Sequence, residues 1–514
     1  MLKFNWDTPA SVEIHDGSAW RADEGRVEIQ DGTVTISAGS PVAGVRLFYE
    51  TEFEKNARFF GDAWERAYGE LEWRGMIAQR LMPWYMAVSE GGRQSFAGVK
   101  TGCGAFVGFR AFSRGLAVEI DTRSGAGPVD LSGRSLTACT LVLDCNREMS
   151  AYRFQREMLK KLCPQARLAQ EPVYGGNNWY YAYGKSSREE ILADSAFISR
   201  LAGPRKNRPW MVIDDGWQKH SRPRVCVGGP WVGNDRFGDM RTLAREMADQ
   251  GVRPGIWIRP LLMSEEPNAD WILQKTGDGW TLDPSNPQVL GYLSDLISEL
   301  ADQGYGLIKH DYTTFDVFGD WGCHATGKAM FPAHPMRDTT RTNAEIVLDM
   351  YKAIAHAAGE PLIIGCNTVG HLAAGLFQLQ RTGDDTSGRF WERTRYMGVN
   401  TLAMRMPQHR IFYDCDADCA PITPELDWKL ARRWLDVLSR SGTALFVSAR
   451  PGTLNPEQEA AVAEAFARAA ENTRPAEPLD WQDTVSPRLW ETADGVREYD
   501  FDALFDGNPE AWWY

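Results

Sequence analysis

The chain has 514 residues, of which 43% are hydrophobic and 24% charged, and a formal net charge of -13. This length predicts two or three domains, one of which can be a barrel of about 250 residues. The acidic balance disfavours a nucleic-acid partner, because phosphate-binding surfaces concentrate Lys and Arg. No stretch approaches the roughly 20 apolar residues that span a bilayer, so no membrane partner is expected.

Two further features of composition bear on the class of protein. The segment Met1–Asp7 lacks the basic-then-apolar layout of a secretory signal, so we expect a cytoplasmic protein whose nine scattered cysteines are reduced. The chain also contains 20 Trp residues. Indole rings stack on flat sugar faces, which is compatible with carbohydrate binding, although packing in the core explains most tryptophans equally well.

Residues 1–165 predict an N-terminal β-sandwich domain that ends in a linker helix. Short alternating runs such as Arg26–Ile29, Thr33–Ile36 and Leu116–Ile120 are separated by Gly, Asp and Ser, which is typical of antiparallel strands. The stretch Phe53–Tyr68 interrupts this pattern and is interpreted as helical or loop-like. The linker helix is predicted over Arg147–Leu162.

Residues 173–450 predict a (β/α)8 barrel of the α/β class. Apolar strands alternate with helical segments, and no glycine-rich dinucleotide fingerprint follows any strand. The eight predicted strands are Asn177–Tyr181, Trp210–Asp214, Gly255–Arg259, Gly306–Asp311, Leu362–Cys366, Leu379–Gly383, Arg410–Asp414 and Ala444–Ser448. The helices predicted between them are Arg188–Leu201, Leu243–Gln250, Gln288–Gln303, Asn343–Ala358 and Pro424–Ser439. Residues 451–514 predict a last helix, Pro456–Asn472, and a small β appendage.

Acidic and amide residues end several of the predicted barrel strands. Because reactive groups in such barrels lie at the carboxyl ends of strands, these residues are expected to meet at one mouth. They are Asp214-Asp215, Asp311, Asn367, Asp384-Asp385 and Asp414 to Asp418. Clustered carboxylates imply a metal, a shared proton or a polyhydroxylated ligand. Lys309, two residues before Asp311 and on the same strand face, disfavours a bound Mg²⁺ or Ca²⁺, and no metal or other cofactor is expected.

Two carboxyl groups across such a mouth fit glycoside hydrolysis. One must protonate the leaving oxygen, and the other must attack the sugar or activate water. A separation of about 5–5.5 Å between them predicts retention of configuration, and one of roughly 6.5–9.5 Å predicts inversion. Strands four and six carry the candidate pair.

These strand ends resemble those of the α-galactosidase clan, glycoside hydrolase families 27 and 36. Val212 to Gln218 is similar to the D-D-G-W segment of those enzymes, and Ile308 to Asp311 fits their K-x-D. Gly176 to Trp179 is similar to G-W-N-S-W, and Gly255 to Trp257 resembles G-I-W. The resemblance implies Asp311 as the nucleophile. The residues that it implies as sugar-binding in these segments are Trp179, Asp214, Asp215, Trp257 and Lys309.

The remaining strand ends extend the resemblance with departures. Cys366-Asn367 stands where the family has C-x-x-G or C-N and implies contact with the sugar's 2-position substituent. Arg381 to Asp385 resembles R-x-x-G-D or R-x-S-D-D, which leaves Asp384, the favoured residue, or Asp385 as the acid/base. Asp416 to Cys419 is similar to D-P-D-M, with Ala for Pro and Cys for Met. The resemblance implies Arg381 and Asp416 as further sugar-binding residues.

The function that the resemblance implies is that of a retaining exo-α-glycosidase, foremost an α-galactosidase. Its partner is expected to be an oligosaccharide or glycoside, and a homo-oligomer is compatible with family 36. Three alternatives stay open on the same site: a transglycosylase, an α-N-acetylgalactosaminidase or β-L-arabinopyranosidase, and a non-catalytic sugar-binding protein.

Overall fold

A computed structural model describes residues 2, 4–221, 227–325, 327–472 and 474–502. Two six-stranded antiparallel sheets form the N-terminal β-sandwich. Alternation explains how its strands bury one face: in Thr33–Ser37, the side chains of Val34 and Ile36 are fully buried while their neighbours are not. In spatial order, the first sheet contains Trp20–Ala22, Ser11–His15, Gly44–Glu50, Gly115–Asp121, Phe106–Phe112 and Met82–Pro83, and the second Val27–Gln30, Thr33–Ser37, Ser135–Asn146, Arg93–Val99, Tyr85–Glu90 and Arg58–Gly61.

The helix Ala151–Leu162 follows the sandwich. The hydroxyl of Ser150 caps its start by accepting a 3.3 Å hydrogen bond from the amide of Arg153. One face of this helix packs into the core through residues such as Phe154 and Met158. The chain then enters the barrel.

Eight parallel strands close into a barrel, which confirms the predicted fold class. In order these strands are Tyr174–Asn177, Trp210–Ile213, Arg253–Ile258, Leu307–His310, Leu362–Gly365, Leu379–Arg381, Asp414–Pro421 and Ala444–Ser448. The longer helices of this part are Arg188–Ala202, Met240–Asp249, Pro287–Asp302, Asn343–Ala358, Trp428–Ser441 and Pro456–Ala469. Shorter helical segments are Trp179–Ala182, Thr313–Phe318, Gly370–Ala373, Trp391–Thr394 and Thr401–Arg405.

Two small antiparallel sheets accompany the barrel. Leu262–Met263, Trp280–Leu282 and Ile272–Lys275 form a three-stranded sheet in the loop after the third strand. Glu477–Pro478, Leu489–Thr492 and Gly495–Glu498 form the C-terminal β appendage. None of the helices in the described part of the chain has the length and apolar content that crossing a bilayer requires.

The structure corrects three of the predicted elements. The first barrel strand is Tyr174–Asn177, and Trp179–Ala182 is a helical turn instead of its continuation. The seventh strand begins at Asp414, where the prediction ended it, because the preceding residues form a turn in which Arg410 has a φ of 57°. The stretch Phe53–Tyr68 contains the strand Arg58–Gly61.

Candidate active site

The carboxyl ends of the barrel strands bring most of the predicted site residues together. Within the barrel lies a small cavity whose polar lining includes Asn177, Lys309, Arg381, Asp416 and Asp418. These side chains come from strands one, four, six and seven, so residues far apart in sequence share one space. The site is therefore a product of the barrel's closure.

Asp311 follows the fourth strand and is held by three hydrogen bonds. Its Oδ1 accepts from the amides of Tyr312 at 2.7 Å and Asn367 at 3.1 Å, and its Oδ2 accepts from Nε1 of Trp257 at 2.9 Å. Burial alone would raise the pKa of this carboxyl, but the positive charges of Arg66 and Lys309 outweigh burial and lower it. Asp311 is thus an oriented, ionised carboxylate at neutral pH.

Lys309 forms an ion pair with Asp214 below Asp311. The two atoms Nζ and Oδ2 are 2.8 Å apart, and the amide of Asn177 donates a 2.7 Å hydrogen bond to the same oxygen. Strand alternation places Lys309 on the same face as Asp311, while the intervening His310 packs against Tyr351. A buried cation and a buried anion thus satisfy each other at the base of the site.

Asp215 is buried beside Asp214, and its pKa is raised whereas that of Asp311 is lowered. Its Oδ1 accepts a 2.7 Å hydrogen bond from Nε2 of Gln218, and its backbone amide donates to Asp214 Oδ1 at 2.9 Å. Burial, assisted by the charge of Asp214, raises the pKa of Asp215 to about 7. Near neutral pH this carboxyl can therefore donate or accept a hydrogen bond.

The two residues that follow the fifth strand differ in what they can offer a ligand. The Cys366 thiol lies 3.4 Å from Nη1 of Arg381 and 3.6 Å from Nη1 of Arg66. Asn367 is fully buried, and both ends of its side-chain amide are occupied, by the amide of Phe315 at 3.0 Å and by Glu65. In this structure Asn367 supports Asp311 through its backbone instead of presenting its side chain to a sugar.

Strand seven supplies carboxylates that face Arg381. Arg381 lies 3.0 Å from Asp418 Oδ2, and Asp416 Oδ1 accepts a 2.9 Å hydrogen bond from the amide of Asp418. Burial raises the pKa of Asp416 to about 6, while Arg381 opposes that rise. Asp414, in contrast, begins the strand and pairs with Arg410, at the opposite end of the strand from the mouth.

The two candidate acids after strand six have different surroundings. Each oxygen of Asp384 lies 2.7 Å from an arginine, Oδ1 from Arg66 and Oδ2 from Arg393. Asp385 Oδ1 lies 3.3 Å from Arg381 and 3.8 Å from Arg66. Burial alone would raise the pKa of Asp385, but Arg381 and Arg66 lower it to about 2. Asp385 also raises the pKa of Asp311 by charge repulsion, so the two carboxylates interact electrostatically.

Aromatic side chains border this polar centre. Trp257 is buried and fixed by its contact with Asp311, whereas Trp179 lies in the helical turn after strand one and is half-buried. The Trp179 ring meets Tyr183 edge-on, with 5.6 Å between centroids. Trp179 is thus the more accessible of the two predicted sugar-facing indoles.

Sequence reasoning missed Arg66 and Glu65, which come from the sandwich. Arg66 contacts Asp384 and Cys366, and a carboxylate oxygen of Glu65 accepts from the side-chain amide of Asn367. The run Trp64-Glu65-Arg66 stood in a stretch predicted only as helical or loop-like. A single sequence does not indicate which distant barrel loop such a segment contacts.

No family model matches the chain. Among solved structures, the α-galactosidase of Thermus thermophilus in complex with p-nitrophenyl α-D-galactopyranoside superposes with a TM-score of 0.62 at 20% identity, over 95% of this chain and 99% of that chain. The family 36 α-galactosidase AgaA of Geobacillus stearothermophilus gives 0.60 at 15% identity, over 90% of this chain and 70% of that one.

A third similar structure is the galactosidase domain of an α-galactosidase-sucrose kinase, with a TM-score of 0.54 at 16% identity, over 91% of this chain and 70% of that chain. The chain therefore has the fold of solved α-galactosidases, including those of glycoside hydrolase family 36.

Within the described residues, no three His, Cys, Asp or Glu side chains are grouped in a way that could hold a metal ion.

Proposed function

We propose that the protein is a retaining exo-α-glycosidase that hydrolyses terminal α-linked galactose-type sugars, as its resemblance to family 36 implies. The observation that carries the proposal is the setting of Asp311, a carboxylate fixed by Trp257 and accompanied by Lys309 at the mouth of an α-galactosidase-like barrel. A second carboxylate, Asp385, interacts electrostatically with Asp311 and raises its pKa. These groups supply the two roles that glycoside hydrolysis needs.

The first chemical step would use Asp311 as the nucleophile. Its oxygen attacks the anomeric carbon, the bond from that carbon to the leaving oxygen breaks, and the acid transfers a proton to the leaving oxygen. In the second step the same acid, now ionised, takes a proton from water, which attacks the anomeric carbon and releases Asp311. The hydrogen bonds to both oxygens of Asp311 would hold it in the orientation that attack requires.

We assign the acid/base role to Asp385, the alternative left open by the sequence, instead of the favoured Asp384. Both oxygens of Asp384 are already engaged at 2.7 Å by different arginines, which leaves it poorly placed to exchange protons. Asp385 interacts electrostatically with Asp311 and Lys309. Arg381 and Arg66 hold its pKa at about 2, which favours the ionised form that the second step uses. The first step depends on the small protonated fraction, so it is expected to slow as the pH rises.

Asp214, Asp215, Lys309 and Trp179 would bind the sugar. The family resemblance implies that the two aspartates bind the 4- and 6-hydroxyls and that Lys309 holds a ring hydroxyl. The raised pKa of Asp215 suits a group that donates or accepts a hydrogen bond to a neutral hydroxyl. Asp416 and Arg381 line the same cavity as Lys309.

A panel of nitrophenyl glycosides tests the proposal. Purified protein is incubated with the α-galactoside, the α-N-acetylgalactosaminide and the β-L-arabinopyranoside, and nitrophenol release is followed. We expect the α-galactoside to react fastest. An acceptor sugar added in excess identifies a transglycosylase by the appearance of a new disaccharide. If none of the three substrates releases nitrophenol, the hydrolase proposal is wrong, and binding of galactose without turnover would indicate the non-catalytic alternative.

A further inference from the structure

A short segment of the sandwich pairs with the loop that carries the candidate acids. The amide of Ala67 donates a 3.0 Å hydrogen bond to the carbonyl of Thr382, and the amide of Asp384 donates a 2.9 Å hydrogen bond to the carbonyl of Ala67. These two bonds form a parallel β-bridge between Ala67 and Gly383. The backbone beside the carboxylates is therefore positioned by the N-terminal domain of the same chain.

The segment is anchored on both sides of this bridge. Asp62 accepts hydrogen bonds from Nε of Arg405 at 2.8 Å and from Nε2 of Gln408 at 2.7 Å. Glu65, which is 1% exposed, accepts a 2.9 Å hydrogen bond from the amide of Gly322 and a further one from Asn367. Since these contacts reach separate barrel loops, the segment has a fixed place over the mouth.

Arg66 points from this segment into the site and is 5% exposed. Its guanidinium lies 2.7 Å from Asp384, 3.8 Å from Asp385 and 3.6 Å from the thiol of Cys366. The ring of Trp321 covers it, with 5.2 Å between the guanidinium carbon and the ring centroid. A planar guanidinium has several N–H donors in a fixed arrangement and can thus hold both strand-six carboxylates at once. An ammonium group is a single point charge and lacks this arrangement.

The charged and titratable groups that face Arg66 or share its carboxylates come from both domains. From the sandwich segment they are Glu65 and Tyr68, and from the barrel Lys309, Asp311, Cys366, Arg381, Asp384, Asp385 and Arg393.

We propose that Arg66 is a positioning residue of the barrel's active site, supplied by the sandwich, which fixes the strand-six carboxylates opposite Asp311. This inference rests on the function proposed above and deepens it. The electrostatics agree with the geometry: after burial, Arg66 is the strongest influence on the pKa of Asp311, and it lowers that pKa. It also lowers the pKa of Asp385, after Arg381.

Removing the positive charge of Arg66 shifts the pKa values of two carboxyl groups in the same direction. Without it, the pKa values of Asp311 and Asp385 both rise. The nucleophile then becomes ionised only at higher pH, which moves the acidic limb of the kcat/KM profile upward. The acid stays protonated to higher pH, which moves the alkaline limb upward as well. A residue that only held the loop in place would lower activity without moving either limb.

The test compares kcat/KM against pH for wild type, Arg66→Ala, Arg66→Gln and Arg66→Lys, with nitrophenyl α-galactoside as substrate. For the two neutral variants we expect a loss of about 10²-fold and an upward shift of both limbs by about one pH unit. Arg66→Lys should keep the limbs near their wild-type positions with reduced kcat, and added guanidinium ion should restore part of the activity of Arg66→Ala. Arg58→Ala is the matched control, because Arg58 lies in the same stretch but pairs with the exposed Asp483.

The outcomes separate this inference from the proposed function. An inert wild-type protein overturns both. An active wild type whose neutral Arg66 variants keep the wild-type limb positions and show no guanidinium effect overturns the positioning role alone. If Arg66→Ala does not fold, as judged by its thermal transition, Arg66→Gln provides the same comparison with a side chain of similar length.

Discussion

Nε1 of Trp257 donates a 2.9 Å hydrogen bond to Oδ2 of Asp311, joining the third barrel strand to the carboxylate that follows the fourth. The indole is 2% exposed, so the bond is shielded from water. It stabilises the ionised form of Asp311 and restricts the rotation of its side chain.

Replacing Trp257 with Phe should lower kcat/KM by about 10- to 100-fold, because a hydrogen bond to a charged group contributes about 1.5–3 kcal/mol. The pKa of Asp311 should rise, so the acidic limb of the kcat/KM profile should move to higher pH. Steady-state kinetics across pH measure both effects. Trp231→Phe is the control, because Trp231 packs 6.1 Å from the Trp257 ring and is not bonded to Asp311. Equal profiles for the two variants would contradict the role of the hydrogen bond.

Removal of the Asp385 carboxyl should be rescued by azide. In Asp385→Ala the first step should remain measurable with nitrophenol, which needs little protonation, and azide should then accept the sugar in place of water. The expected product is a glycosyl azide with the substrate's anomeric configuration. Asp384→Ala is the neighbouring control and should show reduced activity without rescue. Rescue of Asp384→Ala alone would reverse the assignment.

Replacing Lys309 with Met should destabilise the fold by about 3–5 kcal/mol, because it leaves Asp214 buried without its cation. The double variant Lys309→Met with Asp214→Asn should recover much of that stability while remaining inactive. Urea unfolding of the wild type, the two single variants and the double variant gives the interaction energy. Additive effects of the two substitutions would contradict the importance of the pair.

A buried carboxyl outside the site should make stability depend on pH. Asp194, on the helix Arg188–Ala202, has a pKa raised by burial to about 7, although the Tyr181 hydroxyl that bonds to it opposes the rise. Its folded-state pKa thus exceeds the unfolded value of about 3.9. Stability present below about pH 4 is therefore lost as the pH rises to about 7.

Asp194→Asn should accordingly lose less Tm between pH 5 and pH 8 than the wild type does. Each unit of pKa difference corresponds to about 1.4 kcal/mol, so the effect should reach several degrees. Asp249→Asn, an exposed position on the next barrel helix, is the control. The same Tm change with pH in the wild type and Asp194→Asn would show that Asp194 does not titrate between folded and unfolded states.

The barrel could be predicted from sequence because most of its strands are short apolar runs between helical segments. The position of strand seven was predicted wrongly, because its sequence, Asp414-Cys-Asp-Ala-Asp-Cys-Ala-Pro421, is not an apolar run although every residue in it is buried. Its carboxylates are tolerated inside because Arg381 and Arg410 pair with them. The apolar run before it, Ile411 to Tyr413, forms a buried turn instead.

The candidate site was predictable where it lies on barrel strands and not where it depends on the sandwich. The spacing of Lys309 and Asp311 along the chain was enough to place both side chains on the same strand face. Arg66 could not be placed in this way, because its approach depends on how the segment beside it docks on the barrel, which is a long-range contact. The choice between Asp384 and Asp385 depended on the same arginine. The domain bounds and the roles of the site residues stay predictions.

Covalent trapping of the nucleophile tests the central proposal most directly. A fluorinated α-galactosyl fluoride, which forms a slowly hydrolysed glycosyl-enzyme, is incubated with the wild type and with Asp311→Asn, and the digested protein is analysed by mass spectrometry. We expect one added fluorinated hexosyl group on the peptide that contains Asp311 and none in Asp311→Asn, which should also lose turnover by at least about 10³-fold. An adduct on a different residue, or substantial turnover by Asp311→Asn, would contradict the proposal.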